Sequence, residues 1–304
     1  MNTTSQILSD GIHSFVSRDP WSDEMLALWV PVVAYWVYSI FFHFMMKAEW
    51  PFFEKYRIHT VSDMEKRNRV SIGRVLSMVL LQQLIQIVLG VLVLHPIDPI
   101  THATSQESSL KWFTSVILSI EYRLVGQQHL QFAIYLSQFI YSAVIPSLQF
   151  MGGMIVMDAH QYFLHRLFHV NKFLYKHVHS HHHRLYVPYA FGALYNHPLE
   201  GFLLDSCGAT LSMELTRMSP RVSMIFFTFS TLKTVDDHCG YALPWDPLQF
   251  FFGNNVQYHD IHHQSFGIKK NFSQPFFTFW DKLLGTEMTM DEASKKGSYK
   301  KRVQ

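Results

Sequence analysis

Three histidine clusters carry the chemistry that this chain can do. In HRLFH, His165 and His169 are four residues apart, so on a helix both imidazoles leave one face a single turn apart, which is a chelating spacing. His179, His182 and His183 repeat it at offsets of three and four within HSHHH, and His259, His262 and His263 repeat it again in HDIHH. Thirteen of the nineteen histidines lie between His160 and His263. A lone HxxxH pair is commonly an accident of a polar surface, whereas three separate clusters at helical intervals are not. Eight imidazoles can surround more than one ion. Imidazole suits zinc, iron, copper and nickel, and the absence of Cys from the clusters argues against a zinc finger or an iron–sulfur centre. The expectation is a two-metal site.

Residues around the clusters supply further candidates. Asp158, Tyr162, His165 and His169 follow at offsets of four, three and four, one stripe of a helix. Asp158 is therefore expected either to orient a ligating imidazole or to be a plain surface carboxylate. His238, in VDDHCGY, is expected as a ninth ligand, with Asp236 and Asp237 placed to fix its tautomer. His197, in YNHPLEG, stays open between ligand and structural histidine. His160 and His177 lie off the stripes, and His181 is a bystander between ligands.

The elements that must position these rings are membrane helices. Aromatic residues make up 15% of the chain and charged residues only 16%, against roughly 25% charged in soluble domains. A net charge of +2 with no basic stripe excludes a nucleic-acid partner. Cys207 and Cys239 form no CxxC pair. Residues 1–24 lack the pattern of a cleaved signal peptide, and Asn2-Thr3-Thr4 reads as a glycosylation sequon. Leu26–Met46 and Val75–Leu94 are uncharged and each long enough to cross a bilayer, which takes about 20 residues. Gln82, Gln83 and Gln86 share one face of the second span and are expected to bond a neighbouring helix. The 47–74 loop between the spans carries Lys47, Lys55, Arg57, Lys66, Arg67, Arg69 and Arg74, so the positive-inside rule puts it in the cytosol. The stretch 95–129 reads as a loop.

A third apolar stretch, Leu130–Met157, returns the chain to the cytosol, either as a tilted span or as a span broken near Pro146 and Gly152-Gly153. Gly201–Met213 and Val222–Leu232 are too short for separate spans and read as a hairpin or re-entrant pair, leaving the histidine clusters on one side. The expected fold is all-α: polytopic membrane helices with a cytosolic helical cap that carries the di-metal site. Its divisions are a lumenal segment 1–25, a transmembrane region 26–157, a catalytic region 158–285 and a polar tail 286–304 ending KKRVQ.

HRLFH, HSHHH and HDIHH resemble the three histidine boxes of the fatty acid hydroxylase/sterol desaturase superfamily. More narrowly, DAHQYFLHRLFH, LYVPYAFGALYNHPLEGFLLD, KTVDDHCGYALP and YHDIHHQSFGIKKNFSQPFFTFWD resemble the sphinganine C4-hydroxylases, the fungal ones in particular, with likeness strong over residues 154–285 and weaker at PVVAYW and EKYRIH. The fungal branch is expected to allow Asn at His197. The resemblance implies two iron ions, O2, and electrons from NADPH through cytochrome b5 and its reductase. It implies sphinganine or dihydroceramide as substrate, phytosphingosine or phytoceramide as product, and the endoplasmic reticulum membrane as location. The iron ligands would be His165, His169, His179, His182, His183, His238, His259, His262 and His263, with no catalytic residue beyond them. No fused haem-binding HPGG segment is present, so the donor is expected to be a separate protein. Lys66, Arg67 and Arg69 either dock its acidic face or serve topology alone. Tyr186, Tyr189 and Asn196, near the second box, are candidates to anchor the substrate headgroup.

Three other readings compete. A sterol desaturase or other lipid oxygenase shares boxes and cofactors and differs in substrate. A zinc hydrolase would work without O2. A metal transporter would use the clusters as a relay, but the apolar spans lack intramembrane carboxylates.

Overall fold

The computed structural model describes residues 19–93 and 98–296. The Asn2 sequon and the KKRVQ end lie outside the described residues. Helices carry the architecture, and among the described residues the only β pairing is an isolated bridge between Arg57 and Tyr241. The all-α expectation holds.

Helix α1, Asp23–Ala48, starts where the Ser22 side chain accepts from the Met25 amide and ends where Glu49 turns left-handed at φ 47°. One face, with Tyr35, Ser39, Phe42 and Met45, is buried, while Trp29, Val33, Val37, Ile40, Phe41 and Phe44 are exposed. An apolar stripe of that length, left bare by the protein, is what lipid covers. Helix α2 is Ile72–Val93. Two of its three glutamines bond neighbours as expected: Gln83 Oε1 accepts from Trp36 Nε1 at 2.9 Å, and Gln82 Nε2 donates to Asp205 at 2.7 Å.

One expectation fails here, and one open alternative is decided. The 95–129 stretch contains a 27-residue helix, α3, Pro99–Val125. Asp98 caps its first amides, Pro99 opens it and left-handed Gly126 closes it, so the end signals overrode a hydropathy too low to mark it. The third apolar stretch, α4, does not break at Gly152-Gly153 and runs on as Leu130–Val170. A π-turn at Ile140–Val144 absorbs the irregularity ahead of Pro146. The glycines serve packing instead: a Cβ on Gly153 would come within 2.2 Å of Met218 Cε. The join between residues 157 and 158 lies inside this helix.

Among the described residues, three helices are long and apolar enough to cross a membrane: Asp23–Ala48, Ile72–Leu92 and Leu130–Val170. The two shorter apolar pieces are consecutive helices joined at residues 217–219. Helix α5 covers residues 198–216, with a π-turn at Phe202–Ser206. It stops at left-handed Arg217, and Ser219 caps α6, Pro220–Asp237. Helix α5 packs on α4, and α6 lies along α1. Beneath them Met154, Met157, Met213, Met218, Phe226 and Phe276 form one core. A second core joins the latter half of α1 to the 185–195 and 235–243 segments. The boxes sit between these cores, on the end of α4, on a 3-10 turn at His179–Arg184 and on a short helix α7, Val256–His263.

Candidate metal centre

Helix α4 delivers His165 and His169 from one buried stripe, which also holds Asp158 and Tyr162. The second and third boxes each feed two places rather than one. On α7, His259 and His263 share a face at an offset of four, and His262 is turned away from them. On the 3-10 turn, His179 and His183 go one way and His182 the other. The result is two groups: His165, His169, His179, His183 and His262 in one, His182, His238, His259 and His263 in the other. Within each group one donor atom per residue lies within 4.8 Å of every other, and all nine residues are buried. The groups abut, with the His183 and His263 rings 4.9 Å apart.

The backbone sets the tautomers. His165 Nδ1 faces the Phe272 carbonyl at 2.8 Å, His182 that of Tyr195 at 3.1 Å and His238 that of Thr234 at 2.8 Å. His262 Nδ1 faces Lys270 O and His263 Nδ1 faces Leu185 O, both at 2.7 Å. A carbonyl oxygen only accepts, so in each ring Nδ1 carries the proton and Nε2 presents a lone pair. Those Nε2 atoms converge. His165 Nε2 is 3.2 Å from both His179 Nε2 and His169 Nε2, and His259 Nε2 is 3.0 Å from His238 Nε2 and 3.1 Å from His263 Nε2. His262 Nε2 is buried with no partner at all. Lone pairs crowded together without protons between them repel, and a cation at each focus removes that repulsion. The donor set therefore fits two metal ions of the kind imidazole holds.

Burial reinforces the neutral state. It pushes His179, His238 and His262 down to about 3 and His182 to about 4, and it holds His183, His259 and His263 well below the usual imidazole value. A metal then meets ligands that need not lose a proton first.

Several expected partners are engaged elsewhere. Asp158 touches no imidazole: it accepts from the Phe276 and Phe277 amides at 3.0 and 2.6 Å and so ties the chain beyond the third box to α4. Asp236 and Asp237 do not orient His238, because Asp237 is drawn to buried Lys233 and to Asn254 while Asp236 accepts from Gln249. His197 belongs to neither group. Its Nδ1 accepts from the Leu199 amide at 3.2 Å and caps α5. His160 donates to Leu203 O, and His181 turns back to Val178 O. Arg69 lies over the Tyr186 ring, Tyr189 belongs to the core, and Asn196 lines a small polar chamber beside the rings.

Two carboxylates matter more than their sequence positions suggested. Glu200 Oε1 accepts from His179 Nδ1 at 2.5 Å, an arrangement that fixes a ligand's ring and raises its basicity. Asp281 accepts from the Phe272 and Ser273 amides and from Tyr258 Oη, which holds in place the carbonyl that orients His165. The glutamate of NHPLEG was the available signal for the first. Nothing in the sequence pointed to the second.

Comparison with known proteins agrees with this geometry. The profile of the fatty acid hydroxylase family matches residues 150–286, which hold all three boxes. The chain is 47% identical over 272 residues to the sphingolipid C4-hydroxylase sur2 of Schizosaccharomyces pombe, covering 88% of this chain and 89% of that one. It is 49% identical over 265 residues to the Saccharomyces cerevisiae sphingolipid C4-hydroxylase SUR2, covering 87% of this chain and 72% of the relative. A rice protein named very-long-chain aldehyde decarbonylase GL1-9 is 43% identical over 273 residues, 88% of this chain and 92% of its own. No solved structure matches. With such identity over 72–92% of the length of these relatives, the chain belongs to the fatty acid hydroxylase family.

Proposed function

We propose that this protein hydroxylates carbon 4 of sphinganine, or of the long-chain base in dihydroceramide, as a di-iron, O2-dependent monooxygenase of the endoplasmic reticulum membrane. The observation that carries the reading is the set of nine buried imidazoles with their lone pairs turned inward, in a chain 47–49% identical to relatives named sphingolipid C4-hydroxylases. One oxygen atom of O2 enters the C–H bond and the other leaves as water, with two electrons supplied by NADPH through cytochrome b5 and its reductase. Acid–base chemistry by Asp, His or Ser cannot attack an unactivated methylene, so a bound pair of redox ions would supply the oxidising power.

The chain's own residues have a narrower task. His165, His169, His179, His183 and His262 would hold one ion, and His182, His238, His259 and His263 the other. Glu200 and the five backbone carbonyls keep the rings from turning. Burial of all nine excludes bulk water, which protects a reactive site from side reactions. The basic 47–74 segment lies against the boxes: His59 Nε2 meets Asp260 at 2.9 Å, and the Arg69 amide donates to Arg184 O at 2.8 Å. The positive-inside rule applied to that segment supports a cytosolic site, within reach of a soluble electron donor. Arg67 is turned inward to Gln264, which leaves Lys66 and Arg69 on the surface for such a donor.

The rice relative's name favours a second reading, action on a very-long-chain aldehyde. Microsomes containing the protein, given C4-deuterated sphinganine, NADPH and O2 and read by mass spectrometry, separate the two. Hydroxylated base that loses one C4 deuterium and requires both NADPH and O2 supports the proposal. No such product, with turnover of a long-chain aldehyde or a sterol precursor, sinks it.

A further inference from the structure

Beside the histidines the protein holds two adjoining chambers. One, of about 180 Å³, lies between α1, α2, α4, α5 and α6 and is lined mainly by apolar side chains, among them Leu28, Val32, Ile87, Ala209, Met213 and Phe227. The other, of about 30 Å³, is polar and reaches His179, His182, His238 and His259. Gln161, Asp205, Thr234 and Pro275 line both, so they stand where a passage between grease and ligands would run.

Asp205 at this passage has neutral partners. Gln82 donates to it at 2.7 Å, lying so close over Gly201 that a Cβ there would come within 2.4 Å of the Gln82 amide. Asn196, a second neutral side chain, lines the same polar chamber, and Glu200 is near enough to repel Asp205. The buried lysine of the region, Lys233, is occupied by Asp237 and by the Asn254 carbonyl. Unpartnered acceptors converge on the polar chamber: Glu200 Oε2, on a residue 1% exposed, and Asn254 Oδ1, on a residue 0% exposed. A buried carboxylate facing a second one, with no cation of the chain between them, is costly unless a proton or another cation arrives.

We propose that this passage binds the free ammonium group of a single-chain long-chain base at Asp205, with the alkyl tail in the apolar chamber and the hydroxyls of the head meeting Glu200 and Asn254. The assignment rests on the proposed C4 hydroxylation and names the form of substrate the site prefers. A head held at the passage presents the neighbouring carbons to the ligands in the polar chamber, and the tail leaves through the apolar one. An N-acylated base brings an amide in place of the cation and gains nothing from Asp205.

Two variants test this in nanodisc-embedded full-length protein, with binding of radiolabelled sphinganine and of dihydroceramide measured without reductant, and KM and kcat measured with it. Asp205→Asn keeps the shape and removes the charge. It is expected to weaken sphinganine binding and raise its KM at least tenfold, with kcat and dihydroceramide binding changed less than threefold. Ala209→Trp fills the apolar chamber and is expected to abolish binding of an 18-carbon base while a short-chain base still binds. An unchanged sphinganine KM in Asp205→Asn, or equal losses for both lipids, overturns the amine anchor. Equal loss of long and short bases in Ala209→Trp overturns the tail chamber. Wild-type protein that binds neither lipid and makes no product would instead count against the C4-hydroxylase reading itself.

Discussion

Glu200 Oε1 accepts a 2.5 Å hydrogen bond from His179 Nδ1, and both side chains are 1% exposed. The glutamate stands 21 residues beyond the imidazole and reaches it because α5 begins with His197 as its cap and Pro198 in its first turn, so the first turn points Glu200 inward. Partners of this kind typically matter 10- to 100-fold for metal affinity or activity. Glu200→Gln keeps an acceptor and loses the charge, Glu200→Ala loses both. Activity or metal affinity is expected to fall by about 10-fold in the first and about 100-fold in the second, with a deficit of bound metal on dilution or dialysis. Equal, undiminished metal content in both would remove Glu200 from the site.

His197 serves the same turn without touching a metal. Asn is among the best helix caps, so His197→Asn is expected to retain metal and activity, whereas His197→Ala should cost about 0.5–2 kcal/mol of stability. Thermal unfolding and metal analysis of the pair decide it. Metal loss in His197→Asn would make the histidine a ligand.

How much of this was legible in the sequence follows from the range of each interaction. Box spacing is local, so the two candidate ligands on α4 and the three on α7 stand out from offsets alone. The division of boxes two and three between two groups could not, because it depends on which way a 3-10 turn and a short helix face each other. Asp158 finds backbone amides 118 and 119 residues away, and Asp237 is captured by a lysine one turn back on its own helix. Tertiary context claimed the first carboxylate and a lysine on the same helix the second, so neither reaches the ring that the pattern had offered it. Helix α3 was missed because its charged and hydroxyl residues hide it from hydropathy, although its caps were in plain view.

Gly267 is set by close approach rather than by turn geometry. A Cβ at that position would stand 1.8 Å from the Ile261 carbonyl oxygen and 2.7 Å from its carbon, backbone that lies between His259 and His262. Gly267→Ala is expected to destabilise the protein by about 1–3 kcal/mol through overpacking. If it shifts the third box by about 1 Å, activity falls about 100-fold. Denaturant midpoints with turnover rates check this. A fully active and equally stable variant would show that the third box tolerates displacement.

Acid should destabilise the metal-free protein. Seven imidazoles outside the candidate spans have folded values below the ordinary 6.5, down to about 4 for His182 and about 3 for His179, His238 and His262. The unfolded chain binds protons below 6.5 that the folded one refuses, so stability is lost as pH falls from there, by about 1.4 kcal/mol per pH unit for each group in its window. Glu200 and Asp205, raised to about 7, and Asp237, raised to about 6, act in the opposite sense, but the imidazoles outnumber them. Chelator-treated protein should therefore melt lower at pH 5 than at pH 7. A higher melting temperature at pH 5 would mean that the rings are not held neutral.

The most direct test of the two-group centre is the iron content of purified full-length protein, per chain, in wild type and in variants from each group. The account predicts two irons in the wild type and a deficit in both His165→Ala, from the five-ring group, and His259→Ala, from the four-ring group, with both variants still found in the membrane. One iron or none in active wild-type protein, or two irons retained in either variant, would contradict it.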